Sequence, residues 1–205
     1  MAELTTKELS LPQAADLLDP PAPRDESKWH VSTLVGEAAK AAKSKWAYHD
    51  DGVFEENGIM ALGRMWEFCV RPMVEENAAE RGVSFYEGKR LAPIALDDTI
   101  GTVDGLLLPK GFLGPNAPIL AVVEIKSRHA RPADPRDHWR WMTQSKAYCY
   151  MTRCSSLWMP VVYILHSPPD AKLLLHQIVF EDWELEENWA MLMNVKRSLE
   201  VRENA

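Results

Sequence analysis

The chain has 205 residues, 46% of them hydrophobic, which is enough apolar material for one soluble globular domain with a sizeable core. No apolar run approaches the roughly 20 residues that span a bilayer, and the N-terminus lacks the basic and hydrophobic regions of a secretory signal. A net charge of −7 excludes a protein that wraps nucleic acid on every side, three cysteines fit reduced thiols in an intracellular protein, and the six histidines show no zinc-site spacing.

In chain order, residues 1–28 are Pro-rich and acidic and read as an N-terminal arm that is partly extended. Residues 29–205 read as a single domain. Val31 to about Trp46 is an Ala/Lys-rich helix, and His49 to Gly58 is a turn-rich connection. Ile59 to Arg81 is a second helix with a bend expected at Pro72. Strands follow at Val83–Glu87, Leu91–Leu96, Ile100–Leu108 and Ile119–Lys126, with a Gly/Pro-rich loop over Lys110–Pro118. Pro132 and Pro135 precede a helix that starts near Asp134 or Pro135. Leu157–His166 and Lys172–Phe180 are strands joined by a turn at Ser167–Asp170. Asp182 to Val201 is a final helix, with Trp183, Leu185, Trp189, Leu192 and Val195 spaced as a packing face.

The chemistry concentrates in two apolar segments. Asp104 lies in Ile100-Gly-Thr-Val-Asp-Gly-Leu-Leu-Leu108, and Glu124 and Lys126 end the run Ile119-Leu-Ala-Val-Val-Glu-Ile-Lys126. Charges are costly in buried strands unless compensated, and a divalent metal compensates them. Residues two apart share a strand face, so Glu124 and Lys126 point one way while Ile125 points into the core. Two other Glu-x-Lys triplets read differently: Glu26-Ser27-Lys28 as solvated, and Glu87-Gly88-Lys89 as a turn whose charges are dispensable. Gln144 and Tyr148 are four apart on one helix face. Glu67 stands near the middle of the apolar helical stretch Gly63–Val70. From Glu124 to Arg153 seven Lys/Arg stand against three acids, while from Glu181 to Ala205 the balance is three against seven. A basic strip leading out of Lys126 fits contact with one nucleic-acid backbone.

Together these residues resemble the PD-(D/E)XK nuclease superfamily, in the branch that holds lambda exonuclease and the RecB nuclease domain. The resemblance runs from about Val31 to Phe180 and includes the segment His30-Val31-Ser32. It implies an α/β, restriction-endonuclease-like core: a mixed central β-sheet flanked by helices, in α-β-β-β-α-β order with extra N- and C-terminal helices. This sequence departs from the family pattern in having Val103 rather than proline before Asp104, and no histidine near Glu67. The implied activity is Mg²⁺- or Mn²⁺-dependent, sequence-independent exonuclease action on linear DNA, in viral or bacterial recombination or repair. The alternatives are an endonuclease of the same superfamily and a non-catalytic DNA-binding or assembly protein. Asp104, Glu124, the Ile125 carbonyl and Glu67 would hold the metal. Lys126 would orient or deprotonate the attacking water, and Gln144 would position it. Tyr148 would brace the site or contact DNA, and Arg128, Arg131, Arg136, Arg140 and Lys146 would bind the strand. Some relatives in the RecB branch carry an iron–sulfur cluster held by four cysteines, but three cysteines are too few for one here, and no nucleotide cofactor is expected. The resemblance points to no membrane partner, and leaves room for a recombination or single-strand-annealing partner protein and for a homo-oligomer.

Overall fold

The computed structural model describes residues 25, 27–42, 58–88, 91–112, 117–166 and 169–203. Most of the expected arm, the end of the first expected helix and all but the last residue of the 49–58 connection lie outside them. Helices α1 (Val31–Ala41), α2 (Gly58–Glu80), α3 (Trp139–Thr152) and α4 (Asp182–Glu203) surround two sheets. The larger sheet contains β2 (Val83–Glu87), β5 (Gly105–Pro109), β6 (Ala121–Val123), β7 (Lys126–Arg128), β8 (Ser156–His166) and β9 (Pro169–Val179). β2, β5 and β6 pair antiparallel in turn, β6 and β7 run parallel to β8, and β9 returns antiparallel to it. The sheet is therefore mixed. A small sheet of β1 (Trp29–His30), β4 (Thr99–Gly101) and β3 (Ile94–Leu96) stands apart from it.

Strand periodicity sorts the core into two layers. Leu106 and Val122 pack in one cluster with Val31, Leu34 and Val35 of α1, Tyr148 of α3, and Leu185, Trp189 and Leu192 of α4. Leu107, Val123 and Ile125 pack in the other, against Val70, Val74 and Ala78 of α2. Successive residues alternate between faces, so helices cover both sides, and the burial of Ile125 turns Glu124 and Lys126 toward α3.

Two expected strands are each broken in two. Ile100–Leu108 divides into β4 and β5, which belong to different sheets, and Asp104 occupies the bend between them. Ile119–Lys126 divides into β6 and β7, with Glu124 and Ile125 outside regular pairing. The register is nevertheless continuous, since Val123 pairs with Trp158 and Lys126 with Val161, the same offset. The chain leaves its ladder with β5, keeps one backbone hydrogen bond to β8 through Glu124, and resumes regular pairing with β8 unshifted. The packing face of α4 also needs one correction. Leu185, Trp189 and Leu192 are buried, but Trp183 is 63% exposed, because a residue two before Leu185 falls on the far side of a helix.

Close packing fixes the bend that carries Asp104. The Gly88 N–H donates to the Asp104 carbonyl at 2.9 Å, and a Cβ on Gly88 would lie 1.6 Å from the Val103 carbonyl oxygen. The Tyr148 ring lies against Gly101, where a Cβ would come within 2.5 Å of a ring carbon. The hairpin between β3 and β4 is held to α4: Trp189 Nε1 donates to Asp97 Oδ2 at 3.2 Å and Lys196 Nζ to the Asp97 carbonyl at 2.6 Å. The ring and the hairpin therefore have little room to separate. Gly101→Ala is expected to destabilise the protein by about 1–3 kcal/mol, the usual cost of overpacking a rigid contact, as a lower midpoint in urea unfolding.

Candidate functional site

The site forms where β5 and β6 release each other. Gly105 pairs with Val123, so Asp104 and Glu124 are the next residues along the two antiparallel strands. Instead of forming that rung, the chain turns the Ile125 N–H to Asp104 Oδ2, which accepts it at 2.6 Å. The Glu124 N–H donates to the Trp158 carbonyl at 3.0 Å, so the main chain stays tied to β8. The Asp104 carboxylate is thus held by a backbone N–H, and the Glu124 backbone by β8. Ile125, expected from the sequence to offer its carbonyl, contributes its N–H here.

Glu124 is 2% exposed, and its Oε1 accepts from Lys126 Nζ at 2.5 Å. Lys126 Nζ also donates to Gln144 Oε1 at 3.2 Å, and Gln144 Nε2 donates to the Tyr148 hydroxyl at 3.0 Å. The structure therefore brings Gln144 and Tyr148 together with the Glu-x-Lys triplet in one chain of contacts from β7 to α3. Tyr148 is 4% exposed and its hydroxyl is held by Gln144. Burial pushes its hydroxyl well above the ordinary phenol value, so it remains protonated.

Glu67 lies on α2, partly buried, within electrostatic reach of Asp104, Glu124 and Lys126. Burial, and then the charge of Asp104, pushes the carboxyls of Glu67 and Glu124 up to about 8. Burial pulls the Lys126 ammonium down, but Glu124 and Asp104 outweigh it and the net shift is upward. Lys126 is therefore held as a cation in this arrangement. The sequence reading missed two residues beside Glu67. Arg71, one helical turn on, places Nη2 3.8 Å from Glu67 Oε2 and Nη1 2.8 Å from Glu87 Oε1. Glu87 ends β2 as expected, but it is an ion-pair partner and not a solvated turn charge. The i,i+4 spacing of Glu67 and Arg71 was the available signal.

The donor set fits a divalent cation in one respect. Glu124 Oε2 is buried and has no hydrogen-bond partner among the described residues, a costly state for a carboxylate oxygen that a cation relieves. Among the described residues no three His, Cys, Asp or Glu side chains form a ready-made ligand group. Asp104 and Glu124, with the Ile125 carbonyl, would hold a hard ion whose remaining positions go to water or substrate oxygens. The same fact leaves Glu67 outside a closed cage.

The expected basic strip is divided. The charges of Arg128, Lys126 and Arg140 all reach His138, the cap of α3, whose imidazole burial and these cations pull down to about 4. Arg131 is exposed beyond the end of β7. Arg136 instead pairs with Asp134 at 2.6 Å, and Lys146 with Glu184 at 2.9 Å. Both line a separate groove of about 1400 Å³ between α3, β9 and α4, which none of the three carboxylates borders. The segment is continuous in sequence, but it runs through β7, a turn at 135–137 and α3, which carry these side chains to different places.

No protein-family model and no curated protein matches the chain. Among solved structures it is similar to an alkaline exonuclease, LHK-Exo, from Laribacter hongkongensis, at 16% identity over 86% of this chain and 89% of that one, with a TM-score of 0.52. It is also similar to LHK-Exo in complex with dAMP, at 13% identity over 86% and 89% with a TM-score of 0.49. A phage-related exonuclease from Haemophilus somnus 129PT matches at 11% identity over 85% and 83%, with a TM-score of 0.47. At such identities the first of these likenesses concerns the fold: the mixed sheet flanked by helices is also that of an alkaline exonuclease.

The raised carboxyls have a thermodynamic consequence. Between the ordinary glutamate value and about 8, the folded protein binds more protons at Glu67 and Glu124 than the unfolded chain does. The stability they contribute is therefore present at low pH and lost as pH rises through that window. In chelator, thermal melts should show this fall from about pH 5 to about pH 8, flattened in Glu124→Gln.

Proposed function

We propose that the protein is a metal-dependent nuclease that hydrolyses phosphodiester bonds of linear DNA from free ends. The observation that carries this reading is Glu124. Its carboxylate is buried at a break in the sheet, beside Asp104 and paired with Lys126, and one oxygen has no hydrogen-bond partner among the described residues. A stability-driven sheet would continue its pairing there with apolar residues. The fold shared with an alkaline exonuclease supports the same reading.

Asp104, Glu124 and the Ile125 carbonyl hold Mg²⁺ or Mn²⁺ in this proposal, with Glu67 at the margin. The ion supplies charge stabilisation at a phosphoryl oxygen and acidifies water. The chain's own residues do the positioning. Asp104 is fixed by the Ile125 N–H, so it approaches the ion with little reorganisation. Lys126 supplies a fixed positive charge beside the phosphate, where negative charge grows in the transition state. Gln144, clamped between Lys126 and Tyr148, sets the direction of that ammonium. Arg128, Arg131 and Arg140 are left to contact the DNA backbone, which positions a strand without reading its sequence.

With linear and closed-circular DNA, each with and without Mg²⁺, the expected result is loss of linear DNA only, and only with metal. Discrete fragments from closed circles would assign an endonuclease, and binding without cleavage a non-catalytic DNA-binding protein. Lys126→Ala should keep DNA binding and lose hydrolysis by about 100-fold or more, the scale for removing one transition-state charge donor. Calorimetry should give metal-binding heat for wild type and none for Asp104→Ala, and equal heats would rule the site out.

A further inference from the structure

We infer that the outer edge of β9 and the groove beside it accept an extended, basic segment of a partner protein as an added strand. The observations lie outside the metal site. β9 pairs with β8 on one side and with no strand on the other among the described residues. The register fixes which backbone groups are left over. The Phe180 N–H donates to the Ser155 carbonyl at 3.0 Å, and these two residues continue the pairing of Val179 with Ser156. The main chain of Phe180 therefore faces β8, and so, at every second residue, does that of Ile178, His176 and Leu174. The N–H and carbonyl groups of Val179, Gln177, Leu175 and Leu173 face outward, and none has a hydrogen-bond partner among the described residues. Folds usually protect such an edge with a charge, a proline or a bulge. β9 has Pro169 and Lys172 near its start, but Leu173 to Val179 contains no Lys, Arg, Asp, Glu or Pro, and its register runs without a bulge.

That unprotected half is the part that borders the groove of about 1400 Å³ between α3, β9 and α4. Every residue from Leu174 to Phe180 lines it. Side chains alternate faces, so a cavity over one face alone would meet only every second residue. The unbroken run shows that the groove reaches the outer edge of the strand. Its apolar lining comes from Trp139, Met142, Leu174, Ile178, Phe180 and Met191. An incoming strand pairs its main chain with the outward row and places alternate side chains in this groove. Charge selects the occupant. The acids of the groove are Asp134, Asp137, Glu184 and Glu187, and its Lys and Arg side chains are Arg136 and Lys146. Both cations are already paired, with Asp134 and Glu184. Asp137 and Glu187 remain, exposed and with no ion-pair partner among the described residues. A basic segment complements them. A nucleic-acid strand is repelled by them, and a second copy of this chain sets the same acids against each other. The chain's own residues 1–24 carry Glu3, Glu8, Asp16 and Asp19 against Lys7 and Arg24, which is the wrong sign.

The test selects phage-displayed random peptides of about twelve residues, long enough to span β9, on the full chain, and measures the enriched peptides by fluorescence anisotropy. They should alternate apolar residues with Lys or Arg. Asp137→Lys/Glu187→Lys should weaken their binding about five-fold or more. Gln177→Pro should weaken it about ten-fold, because it removes one outward N–H at an edge position where proline is tolerated. Urea unfolding checks the fold of each variant, and where Gln177→Pro is unfolded the charge reversal decides. Bound peptide should slow amide hydrogen exchange at Leu175 and Gln177 and leave Leu174 and His176, which face β8, unchanged. The inference is overturned if no peptide is enriched, if the enriched peptides lack basic residues or bind the charge-reversed variant as they bind wild type, or if the Leu175 and Gln177 amides gain no protection. A dimer of the chain that protects those two amides, seen by size-exclusion chromatography, would assign the edge to a second copy and overturn the basic partner.

Discussion

The site depends on one hydrogen bond, from the Ile125 N–H to the Asp104 carboxylate. In an uninterrupted sheet the position after Gly105 and Val123 would be an ordinary cross-strand pair, with two carboxylates opposed in a dry interior and nothing to hold them. Here the backbone leaves its ladder with β5 and gives the Ile125 N–H to a carboxylate oxygen, while the Glu124 N–H stays bonded to β8. The gain is a charge-assisted bond at 2.6 Å. Because the chain rejoins β8 without a register shift, Ile125 still fills the α2-facing core and Lys126 still faces α3.

The surrounding architecture serves that arrangement from three directions. α3 delivers Gln144 and Tyr148, and the missing side chain of Gly101 makes room for the ring. α2 delivers Glu67, with Arg71 one turn behind it. β2 delivers Glu87 and then Gly88, whose backbone must touch the bend at Asp104. The cost is electrostatic. Burial and mutual repulsion push two carboxyls up to about 8, and a protein selected for stability alone would not keep them together. Such perturbed groups mark functional sites more often than structural ones.

Much of this was legible in the sequence, and the omissions have physical causes. The apolar periodicity located the helices and most strands, and Glu124 and Lys126 were distinguished from two other triplets by the run they close. The breaks at Asp104 and at Glu124-Ile125 were invisible, because the alternation of buried and facing residues continues through them and only the pairing partner changes. The division of the basic segment was equally hidden. Charge density along a sequence carries no direction: Arg136 turns back on Asp134 two residues before it, and Lys146 finds Glu184 on α4. Glu87 could be placed at a strand end from its neighbours, but its pairing with Arg71 depends on how β2 meets α2. Trp183 falls outside the packing face because it stands two residues before Leu185, on the far side of the helix.

The unshifted re-entry of the chain onto β8 also bears on which changes the segment can survive over evolutionary time. Substitutions at 124–126 alter one group and leave the others in place. A deletion or insertion of one residue there does not, since side chains alternate faces. Losing a residue between Val123 and Arg128 would either carry Lys126 to the α2 face, or pull β7 out of step with eleven residues of β8 that are already committed to β9. This stretch should therefore drift in composition among relatives while keeping its length, and alignment gaps within it would mark chains that have abandoned the chemistry.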